Sequence, residues 1–483
     1  MPDNFKIQHA DPSLYNEDLA PLAPEKRKWG AFEIFNVWAN DVQSLFGYTL
    51  AASLFLTSGL NGWAVMAAIV LASVFVMVLV NLTGLPSVKY GIPYPVMARA
   101  SMGVRGANFP AMIRAIVAIF WYGAQTYFAS TAVSLLINSL FGIQPEVFAL
   151  GLTMVDWIAF VFVWVFQMVL FLRGIDWITK FLNWAGPFVY GVMIVLMIII
   201  GIEASDGLMP AVSSLYTDRE QGMGEVVAFM GVVGTMVAYF AAVVINFGDF
   251  SRFVKDEKSL KTGNWLGLPV NVALFSFIAL VVTAGTYAVF GEAITNPTEI
   301  IGKVDNLLLT IIAALCFFAA TIGINLVANF IPPAYDLANL MPEKIDFKKG
   351  GLITSVIAFF IGALWVSVIS QIGIIGFVNT LGAILAPVYG IMVADYYMVK
   401  KQQLDLHDLF STDPEGKYFY SNGWNTTALV SFGIAAVFSV GTVWIPSLES
   451  LSGFGWIIGA VLGGLIYNGL ANKPTTDHVA TDD

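Results

Sequence analysis

Asp41 and Gln43 fall inside EIFNVWANDVQSLFGYTLAASLF, a stretch starting at Glu33 that otherwise reads as a membrane-crossing helix. A carboxylate at bilayer depth is costly unless water, protein or a cation solvates it. Asp41 is therefore either satisfied by neighbouring hydroxyls and amides, or it is a titrating or cation-binding group. It lies about 15 Å along a helix that begins near residue 31, at about 1.5 Å per residue, which is half a bilayer core. Further along, AIFWYGAQTYFAS places Trp121 and Gln125 four residues apart, on one helix face. An indole offers a flat apolar surface, and a carboxamide offers both a donor and an acceptor. Together they suit a planar heterocycle carrying C=O and N–H groups.

Two more apolar stretches are interrupted in the same way. TIGINLVANFIPPAY carries Asn325 and Asn329 at i,i+4, and Pro332–Pro333 is expected to end or kink that helix. GVVGTMVAYFAAVVINFGDFSRF combines Gly231 and Gly234 with Tyr239, Phe240 and Asn246, the glycines being expected to permit local unwinding. Taken singly, each has a plainer explanation: tryptophan packs, and Asn and Gln bond neighbouring helices for about 0.6–2 kcal/mol. Four separate segments with polar clusters near mid-depth point instead to one shared cavity.

The elements that must position these groups follow from composition. The 483 residues are 58% hydrophobic and 12% charged, with a mean hydropathy of +0.76. A water-soluble exterior cannot be made from so few polar groups, so the bilayer is the expected solvent. Apolar runs predict twelve spans near 31–57, 61–84, 109–141, 153–172, 178–203, 226–248, 264–291, 306–331, 351–370, 373–398, 425–446 and 452–470. With the N-terminus inside, all but Arg219 and Lys303 of the 23 basic residues fall on the cytoplasmic side. That sorting favours an even number of spans with both termini cytoplasmic. The chain then divides into a polar tail at 1–28, a membrane domain at 29–470 and a second tail at 471–483. The single cysteine, Cys316, excludes an internal disulfide. Glycines at 455, 459 and 463 are read as close helix packing.

GIPYPVMARASMGVRGANFPAMIRAIVAIFWYGAQTYFA, NFGDFSRF, NLVANFIPPAY and LAPVYGIMVADYYMVKKQQLDLHDLF together resemble the nucleobase:cation symporter-1 family, which contains bacterial hydantoin, allantoin, uracil and cytosine permeases. The resemblance runs from about Trp29 to the last span. It implies an all-α membrane protein with the five-plus-five inverted-repeat, LeuT-like transporter fold. The repeats would cover about 31–203 and 226–398, with extra helices at 425–470. It assigns Trp121 to stacking on the ligand ring, Gln125 and Asn329 to hydrogen-bonding it, Asn325 to the start of the N-x-x-x-N element, and Gln43 to a polar position near the ligand. It also implies that spans one, two, six and seven rock against spans three, four, eight and nine, with span ten as a thin gate bending at Gly382 and Pro387.

Two positions depart from the family pattern. Phe240 stands where hydantoin- and allantoin-type members usually have tryptophan, and it looks like the cytosine-permease arrangement. A phenyl still stacks, with less area and no N–H. Sodium-coupled members place two hydroxyl residues before the N-x-x-x-N asparagine, whereas here Gly323 and Ile324 supply no side-chain oxygen. The cation position would then rest on Asn325 and on the segment from Ala39 to Val42, whose carbonyls would face it, with Asp41 supplying a carboxylate or carrying a proton.

The resulting expectation is a secondary active transporter importing a planar nitrogen heterocycle such as a nucleobase, allantoin or a hydantoin, with H⁺ favoured over Na⁺. The alternative keeps the fold and carries a vitamin-like or amino-acid substrate with sodium. A membrane-embedded enzyme would need a nucleophile–base pair or metal ligands at depth, yet His9, His407 and His478 all lie in polar segments. A passive channel would show continuous polar stripes. Neither cofactor nor nucleic acid is implied. The expected partners are the heterocycle and the bilayer, the expected location is the cell (inner) membrane, and a monomer is compatible with the sequence.

Overall fold

Long runs of Leu, Ile, Val, Phe and Ala become helices in lipid because each backbone N–H and C=O must be paired within its own segment. The computed structural model describes residues 7, 9–143, 146–214, 224–303 and 306–471. Among them, eight helices are long and apolar enough to cross a membrane. They include Gly62–Tyr90 (span two), Met154–Leu172 (four), Glu257–Phe290 (seven), Leu307–Leu340 (eight) and Ile374–Val399 (ten). Span three is the 34-residue helix Asn108–Phe141, and span nine is the helix Phe347–Ala363. Spans one and six are each broken near their middle. The first runs Ala31–Val42, then Leu45–Thr57 after two extended residues, Gln43 and Ser44. The sixth runs Glu225–Tyr239, then Ala241–Asn246 after a turn at Phe240. This set is consistent with twelve crossings. The remaining strand structure is a small hairpin, Val147–Ala149 with Leu152–Thr153, that leads into span four.

Chain halves repeat one another's shape. Breaks fall in spans one and six, and the following connections carry short helices, Tyr94–Met102 before span three and Pro297–Gly302 before span eight. Spans three and eight are both 34 residues long.

Span eight corrects one sequence expectation. Pro332 and Pro333 do not end it, because the helix continues to Leu340. A wider, π-helical turn at Asn325–Phe330 precedes them, and the two prolines occupy the first turn of the helix that follows. Proline is tolerated there because those N–H groups would be unpaired anyway. Neither proline can donate to Ala328, so the Ala328 carbonyl is left for another donor. Arg114 of span three supplies it, Nη2 donating at 2.7 Å. Span ten likewise stays helical through Pro387. Gly382 there brings the helix against Ala238 beside the break in span six.

Residues 9–28, expected as a polar tail, form a strap across one face of the bundle. Arg99 Nη2 donates to the Leu14 carbonyl at 2.8 Å, and Arg252 donates to the carbonyls of Asp18 and Ala20 at 2.8 and 2.6 Å. Asp18 in turn accepts from the Phe347 backbone N–H at 2.9 Å. Arg99, Arg114 and Arg252, counted with the cytoplasmic charges, are thus buried in the protein. Lys6, Arg219, Lys473 and residues 472–483 of the expected second tail lie outside the described residues.

Candidate substrate and ion site

The breaks in spans one and six face the middle of span three. Between them lies a small cavity of about 20 Å³ lined by Asp41, Trp121, Gln125, Tyr239, Ala242, Val243, Ile324, Ala328 and Asn329. Five residues singled out in the sequence, Asp41, Trp121, Gln125, Tyr239 and Asn329 from spans one, three, six and eight, therefore meet at one point. Gln125 is fully buried, and neither its carbonyl nor its amide nitrogen has a hydrogen-bond partner. An unpaired buried amide costs about 1–3 kcal/mol, so its retention beside Trp121 needs a reason beyond packing. Asn329 Nδ2 donates to Asn325 Oδ1 at 3.0 Å. Its own Oδ1 accepts nothing among the described residues.

The two asparagines of span eight do different work. Asn325 Nδ2 donates to Gln167 Oε1 at 2.5 Å, Thr126 Oγ1 at 3.1 Å and the Tyr122 carbonyl at 3.2 Å. It is a junction tying spans three, four and eight, and through its oxygen it orients Asn329. Gln167 is a polar interruption of the apolar run VFVWVFQMVLF, and that interruption is the signal in the sequence for this junction. Gln43 sits in the break of span one beside Tyr190.

Opposite Trp121 the structure places Tyr239. Their rings meet edge to face with centroids 5.6 Å apart. Phe240, expected in that role, is not among the lining residues. It packs edge-on against Trp38 and Tyr239 at 6.2 and 4.9 Å. Trp38 is itself fixed by a stack on Phe247 and by its Nε1 donating to Asn264 Oδ1 at 2.8 Å. Outward from Trp121, the rings of Phe46 and Phe377 close over it at 4.9 and 5.0 Å.

Asp41 lines the cavity, while Ala39 packs toward Gly186 of span five and the Val42 carbonyl lies against Gly47. At the expected cation position, Asn40 has moved in. A Cβ at Gly323 would lie 2.5 Å from Asn40 Oδ1, so the missing side chain of Gly323 makes room for this carboxamide. Asn40 Nδ2 donates to the carbonyls of Asn36 and Leu182 at 2.9 and 3.0 Å. Thr321, a nearby hydroxyl, accepts the Leu45 N–H that opens the second half of span one. Among the described residues, no cluster of His, Cys, Asp and Glu could hold a metal ion.

Beneath the cavity, Arg114 Nε donates to the Ala242 carbonyl at 3.0 Å and to Asn246 Oδ1 at 3.2 Å. The same guanidinium thus bridges the second half of span six to the wide turn of span eight. Asp336, Asp249 and, more weakly, Asp41 act on this guanidinium electrostatically. Asp249 accepts from the Tyr94 N–H and from Asn246 Nδ2 at 2.8 and 3.0 Å. An arginine six residues into an apolar span was the available sequence signal for this anchor.

Residues 21–459 match the profile of the family described as permease for cytosine/purines, uracil, thiamine, allantoin. The chain is 34% identical to the allantoin permease of Bacillus subtilis over 94% of its length and 92% of the relative's. It is 31% identical to a purine-uracil permease of Arabidopsis thaliana, covering 92% and 73% of the two chains. Among solved structures, Mhp1, a nucleobase-cation-symport-1 family transporter in a closed conformation with bromovinylhydantoin bound, superposes with a TM-score of 0.79. It is 25% identical and is covered over 94% of this chain and 95% of that one. A Na⁺-coupled sialic acid symporter, 12% identical, shares the fold at a TM-score of 0.65 over 95% of each chain. The architecture is therefore the LeuT-like inverted-repeat fold of a multi-pass membrane transporter, and the chain belongs to the nucleobase:cation symporter-1 family of permeases.

Proposed function

We propose that this permease imports a planar nitrogen heterocycle of the allantoin, uracil or hydantoin type in symport with a proton, across the cell membrane and with both termini in the cytoplasm. The observation that carries the reading is the unpaired Gln125 amide held beside the Trp121 indole. A ring edge with adjacent C=O and N–H groups satisfies both of its ends at once, which converts a standing cost into binding energy. Asn329 Oδ1 accepts a second ring N–H, its orientation fixed from behind by Asn325. Trp121 supplies a face for the ring. Phe240 lies within one residue of the cavity, and it reaches the ring only if the break in span six turns.

Asp41 is assigned the coupling role. Its carboxylate borders the same cavity as the substrate groups, so a proton on it and a ring beside it are energetically linked. Occupation of the former cation position by Asn40 supports the proton over sodium: its Nδ2 takes up the carbonyls of Asn36 and Leu182, leaving its own Oδ1 as the side-chain oxygen beside Gly323, where a hard cation wants several. At about 20 Å³ the cavity admits roughly one water. Binding a ring therefore requires the halves of spans one and six to part from span three, and that movement is the alternating-access step.

The test is uptake into proteoliposomes under imposed gradients. Inwardly directed proton gradients, acid outside and with sodium absent, are expected to drive accumulation of labelled allantoin or uracil, and Asp41→Asn is expected to abolish accumulation while exchange persists. Accumulation driven by sodium alone would transfer the coupling role to a sodium site.

A further inference from the structure

We infer that the protein holds a second, outer site for the same flat ring, walled on one side by the connection between its two last spans. This rests on the transport reading above and extends it. A cavity of about 790 Å³ opens between the outer ends of spans one, six and ten and the 3₁₀ segment Pro446–Phe454 that joins span eleven to span twelve. Its floor includes Thr235 and Asn379. Thr235 is one helical turn, about 6 Å, outward of Tyr239 in the central cavity. Phe377, two residues before Asn379, is the ring that closes on Trp121. The cavity is therefore the antechamber of the central site, separated from it by the aromatic plug of Phe46, Trp121, Tyr239 and Phe377.

The polar groups in it are of the kind that read a heterocycle. Asn379 is only 2% exposed, lines the cavity, and has no partner for its Oδ1. Glu449 also lines it, and among the described residues it makes no ion pair. Both are acceptors suited to ring N–H groups. Trp444, 60% exposed, offers an indole face at the rim.

The joining segment is not a loose cover. A Cβ at Gly234 would lie 1.8 Å from the Gly453 carbonyl oxygen, and one at Gly453 would lie 2.7 Å from that of Gly231. Backbone rests on backbone there, which holds Trp444 and Glu449 at a fixed distance from span six. The glycines of span six thus serve this close approach, and the break itself falls further in, at Phe240.

Equilibrium dialysis of the purified chain against labelled allantoin and labelled uracil tests the site. Two rings per chain are expected at saturation. The double variant Trp444→Ala/Glu449→Gln, altered only at the surface, should keep one tight ring and show an uptake KM raised about fivefold or more. Trp121→Ala should keep only the outer ring. One ring per chain that disappears with Trp121→Ala, or a double variant with unchanged stoichiometry and KM, would overturn the outer site while leaving the transport reading in place. Failure of the unsubstituted chain to bind either ring would overturn both for these ligands.

Discussion

Gln125 shows how a buried group can be unfavourable for stability and necessary for function. Its amide is fully buried with neither end paired. Gln125→Leu is therefore expected to leave the melting temperature in detergent unchanged or raised, while heterocycle affinity falls by about tenfold or more, an unpaired amide being worth about 1–3 kcal/mol. Asn325 should behave in the opposite way. Its side chain closes hydrogen bonds with Gln167, Thr126, Tyr122 and Asn329. Asn325→Ala strands several of these partners and should lower the melting temperature clearly, with folded protein losing affinity through a misdirected Asn329. Thermal melts and binding isotherms on the two variants separate the roles. The residues are alike in chemistry and nearly alike in burial, and only their surroundings differ.

At the scale of elements, the discontinuities matter more than the helices. Spans one and six break where Gln43 and Phe240 stand, and span eight widens where its prolines remove donors. Arg114 fills the gap in that hydrogen-bond ladder and crosses to span six. Arg114→Gln removes a buried charge facing Asp249 and Asp336, a change of the class that costs about 3–5 kcal/mol. The expected result is poor yield of folded protein, only partly recovered by Pro332→Ala/Pro333→Ala, which restores the backbone donors but not the charge. Expression and size-exclusion profiles of the three variants check this. Periodicity and hydropathy were enough to place the spans, because lipid enforces long helices with internal pairing. They left open whether span eight ends or kinks at Pro332–Pro333, since that depends on an arginine more than two hundred residues away in sequence.

At the scale of the whole molecule, the central cavity is closed on both sides. The aromatic plug seals it outward, and the Arg114 network together with the strap of residues 9–28 seals the opposite face. A ring can enter only if one seal opens, so ligand binding is linked to a change in conformational population. Saturation of the central site should stabilise the folded chain by about 2.7 kcal/mol at a concentration one hundred times its Kd, and Trp121→Ala should remove that share of the ligand's stabilisation. Removing residues 1–20 leaves Arg99 and Arg252 without the carbonyls of Leu14, Asp18 and Ala20. A lowered melting temperature in the truncated protein, measured without ligand, is the expected outcome.

Sequence alone determined that the chain is built of long apolar helices and where polar residues interrupt them, because hydropathy and helical spacing are local properties that lipid makes strict. It also determined that Trp121, Gln125 and Asn329 were worth joining. The tertiary structure decided which neighbours each group meets. It set Tyr239 rather than Phe240 across from Trp121, turned Asn325 into the scaffold, and slid Asn40 into the space Gly323 leaves open. It also turned a presumed tail into a strap and a presumed hinge into a seat for Gly453. Those outcomes hang on backbone breaks and on contacts between distant segments, and helical spacing carries no information about which face of one segment will be opposed by which residue of another.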